Sequence, residues 1–276
     1  MPSGLRVTRL LFVVITEIFY GVLKVSVHQY QNPPILEAVC EVWFAPANEE
    51  WNISYPWLFY ERVKSIYTGA PKEQKLVRLE PPPTGLPEKE TSPFTVVEQS
   101  KTLFSLADDT ALVAIGPNVL STHVKRPYPG WDVFRGRIAE ALTEYIGVAN
   151  PTGVRKIGLR YINQVTIAEP QPNVADYFTT PPANVLPGEL TTDNFLSRSE
   201  YLYQDEPIRI VISFARTDAP PAVSAYLLDI DLVWQWPAGP LPIESVMAKI
   251  DELRRRERII FERLITDRAR GLFDAT

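Results

Sequence analysis

One segment constrains the fold more than any other. Between Val154 and Ile167 the chain alternates, with Ile157, Leu159, Tyr161, Asn163 and Val165 on one side of an extended strand and Lys156, Gly158, Arg160, Ile162 and Gln164 on the other. A strand of that length with one apolar face and one cationic face requires a sheet covered on one side and half exposed on the other. This is the habit of antiparallel sheets. Tyr226 to Trp236 repeats the pattern, with Leu228, Ile230, Leu232 and Trp234 alternating against Asp229, Asp231 and Val233.

The other elements follow from periodicity and turn residues. Ile35 to Phe44 reads as a strand after the Asn32-Pro33-Pro34 punctuation, and a turn cluster covers Pro46 to Asn52. An amphipathic helix is expected over Trp57 to Tyr67, stopped by Gly69 and Pro71, and an irregular loop over Pro81 to Pro93. Three β-like runs follow, Phe94 to Gln99, Thr102 to Ala107 and Ala111 to His123, with Asp108-Asp109 as a turn. Trp131 to Ile146 has helical spacing, and Gly147 stands at its expected end. After the Val154 strand come a helical turn at Val174 to Phe178, strands at Asn194 to Tyr203, Ile208 to Ala215 and Tyr226 to Trp236, and a long helix from Ile243 to about Phe273. Strand, helix, several strands and helix thus occur twice. The order predicts an α+β domain over residues 30–276, with helices on one face of a curved antiparallel sheet and pseudo-duplicated β-α-β-β-β-α halves at about 30–150 and 151–276.

Composition sets outer limits. With 45% hydrophobic and 22% charged residues in 276, the chain can bury a substantial core and is not intrinsically disordered. A net charge of -5 argues against general nucleic-acid binding, which rests on neutralising phosphates. Cys40 is the single cysteine, so no intrachain disulfide exists and a cytoplasmic setting is expected. Two histidines, His28 and His123, are too few for a histidine-rich metal site. The apolar run Leu10 to Val27, behind Arg6 and Arg9, is interrupted by Glu17 and Lys24 and lacks a clear small-residue cleavage site. Residues 1–29 are therefore read as an N-terminal extension with a mis-assigned start, and a membrane role follows only if that run is a genuine anchor.

Candidate chemistry is sparse. Arg160 and Lys156 project from the half-exposed face, where they can bind an anion or pair with Asp229 and Asp231, and this group is the expected ligand site. The same two aspartates, with Glu37 and Glu41 of the first strand, form the alternative, a Mg2+ or Mn2+ site for a phosphohydrolase or nuclease. The simpler reading makes the aspartates a ladder of cross-strand ion pairs, and Glu37 and Glu41 charges that protect a sheet edge. On the terminal helix Arg254, Arg255 and Arg258 lie among Glu252, Glu257 and Glu262; this reads as a solvated ion-paired face, or as a docking surface for an anionic partner. There is no G-x-x-x-x-G-K-S/T loop, no G-x-S-x-G elbow and no H-E-x-x-H helix, and Cys40 has no histidine nearby.

Five short motifs occur in order: N-P-P-I-L-E-A from Asn32, Y-P-G-W from Tyr128, G-L-R-Y-I-N from Gly158, L-D-I-D from Leu228, and Phe261-Glu262 with Thr266-Asp267. From about residue 30 onward the chain resembles a sporadically distributed family of prokaryotic proteins that share such motifs. The resemblance implies a single domain beginning just before N-P-P-I and supplies no catalytic residues. Its patchy distribution points to defence, toxin-antitoxin or mobile-element neighbourhoods. Where that family often has a histidine in the last helix, this chain has arginines. The combined expectation is a non-catalytic binding or protein-interaction module without a cofactor, whose partner is a protein or a small anionic ligand.

Overall fold

The computed structural model describes residues 28–45, 51–80, 95–182, 193–235 and 239–274, with side chains omitted at 76–80 and 95–99. The apolar N-terminal run, the Pro81 to Pro93 loop, most of the Pro46 to Asn52 turn and Trp236 lie outside the described residues.

Among the described residues nine strands form one open antiparallel sheet: β1 (Ile35–Phe44), β2 (Lys72–Glu80), β3 (Thr95–Ser105), β4 (Ala111–Gly116), β5 (Val119–Lys125), β6 (Val154–Ile167), β7 (Leu196–Leu202), β8 (Ile208–Thr217) and β9 (Ser224–Gln235). Their order is β2-β3-β4-β5-β1-β6-β9-β8-β7. In each half the opening strand returns to pair with the closing one, β1 with β5 and β6 with β9. Order 3-4-5-1 on one side of the β1-β6 seam is thus mirrored by 7-8-9-6 on the other, with β2 as an additional outer strand. This is the internal repetition expected from the element order, in a clear α+β architecture.

The helices are α1 (Tyr55–Val63), α2 (Trp131–Ala149), α3 (Val246–Leu264) and the short α4 (Asp267–Gly271). They cover the face formed by Cys40, Val42, Ile157, Leu159, Tyr161, Ile230 and Leu232, all nearly inaccessible. Ring contacts from Phe59 to Phe104 and from Phe134 to Tyr161 tie α1 and α2 to that face. Val246, Ile250 and Leu253 of α3 are fully buried in the same core. No helix among the described residues is long and apolar enough to cross a membrane.

Three expectations are corrected, and one strand falls on a stretch that carries no periodic signal. Lys72–Glu80 is a strand, although KEQKLVRLE offers no apolar face to betray it. The two runs expected between Phe94 and Ala107 are one strand, whereas Ala111 to His123 breaks into β4 and β5 at Asn118, whose φ is 55°. Gly147 does not end α2; the helix reaches Ala149 and stops at left-handed Asn150, and a Cβ at Gly147 would meet Arg62 Nη1 at 2.7 Å. The terminal helix breaks at Ile265, which is extended and bridges to Phe178. Thr266 then caps α4 by accepting from the Ala269 N–H.

Candidate functional site

The residues expected to form the site lie on the sheet face away from the helices, and cations already occupy most of them. Arg160 stands opposite Asp231 in the β6-β9 register but reaches diagonally to Asp229, donating through Nε at 2.8 Å and Nη2 at 2.7 Å. A diagonal, bidentate pair of this kind fixes both side chains. Asp231, two residues on, has no hydrogen-bond or ion-pair partner among the described residues. Burial pushes its carboxyl up from 3.8 to about 6, against the pull of Arg160. Lys156 lies over the Trp43 ring, 4.2 Å from its centroid.

Glu37 and Glu41 do not guard an edge, because β1 is a central strand. Glu37 accepts from or shares a proton with His123 Nδ1 at 2.9 Å, which holds the carboxylate below its usual range. Burial works against a charged Glu41, yet Lys101 and the Trp43 indole N–H, at 2.6 Å, keep its carboxyl low. The structure therefore brings Lys156, Arg160, Asp229, Asp231, Glu37 and Glu41 onto one face, where Arg160 pairs with Asp229, His123 with Glu37 and Lys101 with Glu41. Among the described residues no group of three or more acidic, histidine or cysteine side chains converges as metal ligands.

A different arrangement occupies the helix side of the sheet. Arg254, Arg255 and Arg258 do not share one docking surface. Arg255 is exposed, while Arg254 and Arg258, four apart, turn toward the sheet. They line a cavity of about 510 Å³ between α3, the N-terminus of α2 and the lead into β1. That volume is in the range of small-molecule sites.

Each wall of the cavity has a sequence reason. Tyr128-Pro129-Gly130-Trp131 starts α2, and Gly130 adopts φ 94°, a conformation open to glycine, so that the helix begins beside the cavity without a side-chain cap. Pro33, Pro34 and Ile35 feed β1 along a second wall, and Asn163 of β6 lies at the back. Asn163 is buried and donates from Nδ2 to the Leu228 carbonyl at 3.1 Å. Phe261 and Glu262 complete the α3 side. Segments from all five sequence motifs, far apart in the chain, therefore meet in or directly behind one cavity.

Its charges are deeply buried. The Arg254 guanidinium lies 4.3 Å from the centroid of the Tyr161 ring and pairs with Glu257, whose side chain is only 3% exposed. Burial pulls Arg254 down, but Glu257, Tyr161 and Tyr128 outweigh it and hold the guanidinium above its ordinary value. Burial pushes the Glu257 carboxyl up, against the pull of Arg254. Arg258 donates to the His28 carbonyl at 3.1 Å, and burial together with Arg254 holds it below its ordinary value. Glu262 is fully engaged, accepting from Tyr30 Oη at 2.8 Å and Arg270 Nε at 2.9 Å. One donor is left over: Arg254 Nε is buried and has no acceptor. Such an orphan is uncommon in native structures and costs about 1–3 kcal/mol.

The sequence carries one signal for this cavity. Glu257 interrupts the apolar stripe Ile250, Leu253, Phe261, Leu264 at a position that must face the core. A carboxylate there requires a buried cation, and Arg254 one turn earlier is the nearest candidate. No family model matches the chain, and no curated protein matches it.

Proposed function

We propose that this protein is a non-catalytic binding module whose cavity between α3 and the centre of the sheet takes a small ligand carrying an oxyanion, a carboxylate or a phosphate. The observation that carries the reading is Arg254, a buried guanidinium that lines the cavity and has an Nε donor without an acceptor. Arg258, whose charged form is disfavoured by burial and by Arg254, gains from the same anion. The uncapped N-terminus of α2 adds unpaired N–H groups on the facing wall. Trp131, Ile35 and Phe261 offer an apolar surface to the rest of the ligand. Binding is favoured over turnover because Glu257 and Glu262 are each held by a guanidinium, so neither is free to act as a base.

Calorimetric titration with inorganic phosphate and with benzoate, at constant ionic strength in chloride, tests the reading. Saturable binding is expected for the native chain and a loss of at least tenfold in affinity for Arg258→Gln. At a hundredfold excess over Kd, a bound ligand stabilises the fold by about 2.7 kcal/mol, which thermal melting reads independently. No binding of either probe, or unchanged binding by Arg258→Gln, overturns it.

A further inference from the structure

β7 is an outer strand, and its residues are almost all exposed, including Leu196 at 76%, Tyr201 at 52% and Leu202 at 71%. Exposed edges of this kind tend to acquire a partner strand. The hydrogen bonds from Tyr203 N to Ile208 O and from Arg216 N to Phe195 O show that odd-numbered residues turn their backbone groups to β8. Leu196, Arg198, Glu200 and Leu202 therefore turn their N–H and C=O groups outward.

The sequence of this edge, Leu-Ser-Arg-Ser-Glu-Tyr-Leu, is complementary to itself when run antiparallel about Ser199. Leu196 then faces Leu202 of a second strand, Arg198 faces Glu200, and Ser199 faces its own copy. All the outward backbone groups fall opposite one another, giving about eight main-chain hydrogen bonds at full closure. The register is also selected against its neighbours. Sliding by two residues sets Arg198 against Arg198 or Glu200 against Glu200, and sliding by one points the outward groups at residues whose own groups face β8. The two side chains are 57% and 48% exposed, and their pairing with one another at 2.8 Å, with Arg209 3.8 Å from Glu200, is exchanged for the pairing across the axis.

We infer that β7 is a self-association edge and that its partner is a second copy of this chain, joined about a two-fold axis through Ser199 so that two nine-stranded sheets become one. The contact is isologous and closed, so it stops at a dimer. It lies at the sheet edge, separated by β8 and β9 from β6 behind the cavity, and does not depend on ligand binding.

Sedimentation velocity of the full chain tests the inference. The native chain sediments as a dimer. Arg198→Glu and Glu200→Arg, each placing like charges opposite one another, sediment as monomers with unchanged circular dichroism. An equimolar mixture of these two variants restores the dimer, because every facing pair is again Glu against Arg; this also shows that both fold. In Ser199→Cys, mild oxidation links two chains, since residues facing each other in a non-hydrogen-bonded pair lie within disulfide reach. A monomeric native chain, a dimer that survives either single charge reversal, or a dimer that Ser199→Cys does not cross-link would overturn it.

Discussion

Arg254 and Glu257, one turn apart on α3, form an ion pair almost wholly withdrawn from water and roofed by the Tyr161 ring. Burial of both charges makes each dependent on the other, because a lone charge at that depth has no solvent to fall back on. Arg254→Met is expected to destabilise the protein by about 3–5 kcal/mol in urea unfolding, the usual cost of stranding one member of a buried pair. Arg254→Met combined with Glu257→Gln should recover a large part of that loss. Equal losses in the single and double variants would show that the cost lies in packing against Tyr161 and not in the stranded charge.

Asp231 makes stability pH-dependent in an unusual direction. Its folded pKa of about 6 lies above the ordinary 3.8, so the folded chain holds the extra proton between those values. The favourable contribution is complete below about pH 4 and is lost as pH rises through 6. Above that, the buried carboxylate costs up to about 3 kcal/mol. Asp231→Asn should therefore raise stability by about 2 kcal/mol at pH 8 and change it little at pH 4. Denaturant melts at the two pH values check this, and a gain of the same size at both would disprove it.

Tyr30 ties the lead into β1 to α3 through Glu262, while Gln31 and Asn32 bond to the carbonyls of Asp274 and Phe273. Removing the hydroxyl in Tyr30→Phe deletes a hydrogen bond to a charged group, at a cost of about 1.5 kcal/mol. Amide exchange at Gln31 and Asn32 should accelerate while the centre of β1 stays protected. Uniform acceleration along β1 would mean that the tether is part of the global unfolding unit.

Thr266 holds the break between α3 and α4, accepting from Ala269 N–H and donating to the Asp176 carbonyl at 2.5 Å. Thr266→Ala is expected to cost about 1 kcal/mol by thermal melting. Thr266→Ser should retain most of the native value, and a Ser variant as weak as Ala would show that the methyl group matters more than the cap.

The parts of the fold legible in the sequence were those with one dry and one wet face. β1 and β6 show clear alternation because each is buried on one side only, and their ends are marked by proline, glycine and asparagine. β2 has charges on both sides and no such contrast, so its pairing with β3 decides its structure. The α3 break at Ile265 was invisible because Ile265 and Phe273 continue the apolar spacing, while the bridge to Phe178 comes from a segment far away in sequence. The cavity was less legible for a related reason. Charges three and four apart on a helix usually mark a solvated face, and only the position of Glu257 within the apolar stripe contradicts that reading. The strand charges of Arg160 and Asp229 stood out more, yet they satisfy one another.

The central claim is that the Arg254 guanidinium takes an anion in the cavity it lines. The most direct measurement is the arginine Nε–Hε spectrum of the nitrogen-15-labelled protein, with the Arg254 signal assigned by its disappearance in Arg254→Lys. On titration with inorganic phosphate or benzoate, that signal should move downfield and exchange more slowly with water, while matched additions of chloride leave it in place. If the Arg254 signal is unmoved by either probe, or if only the Arg160 signal responds, the cavity is not the binding site.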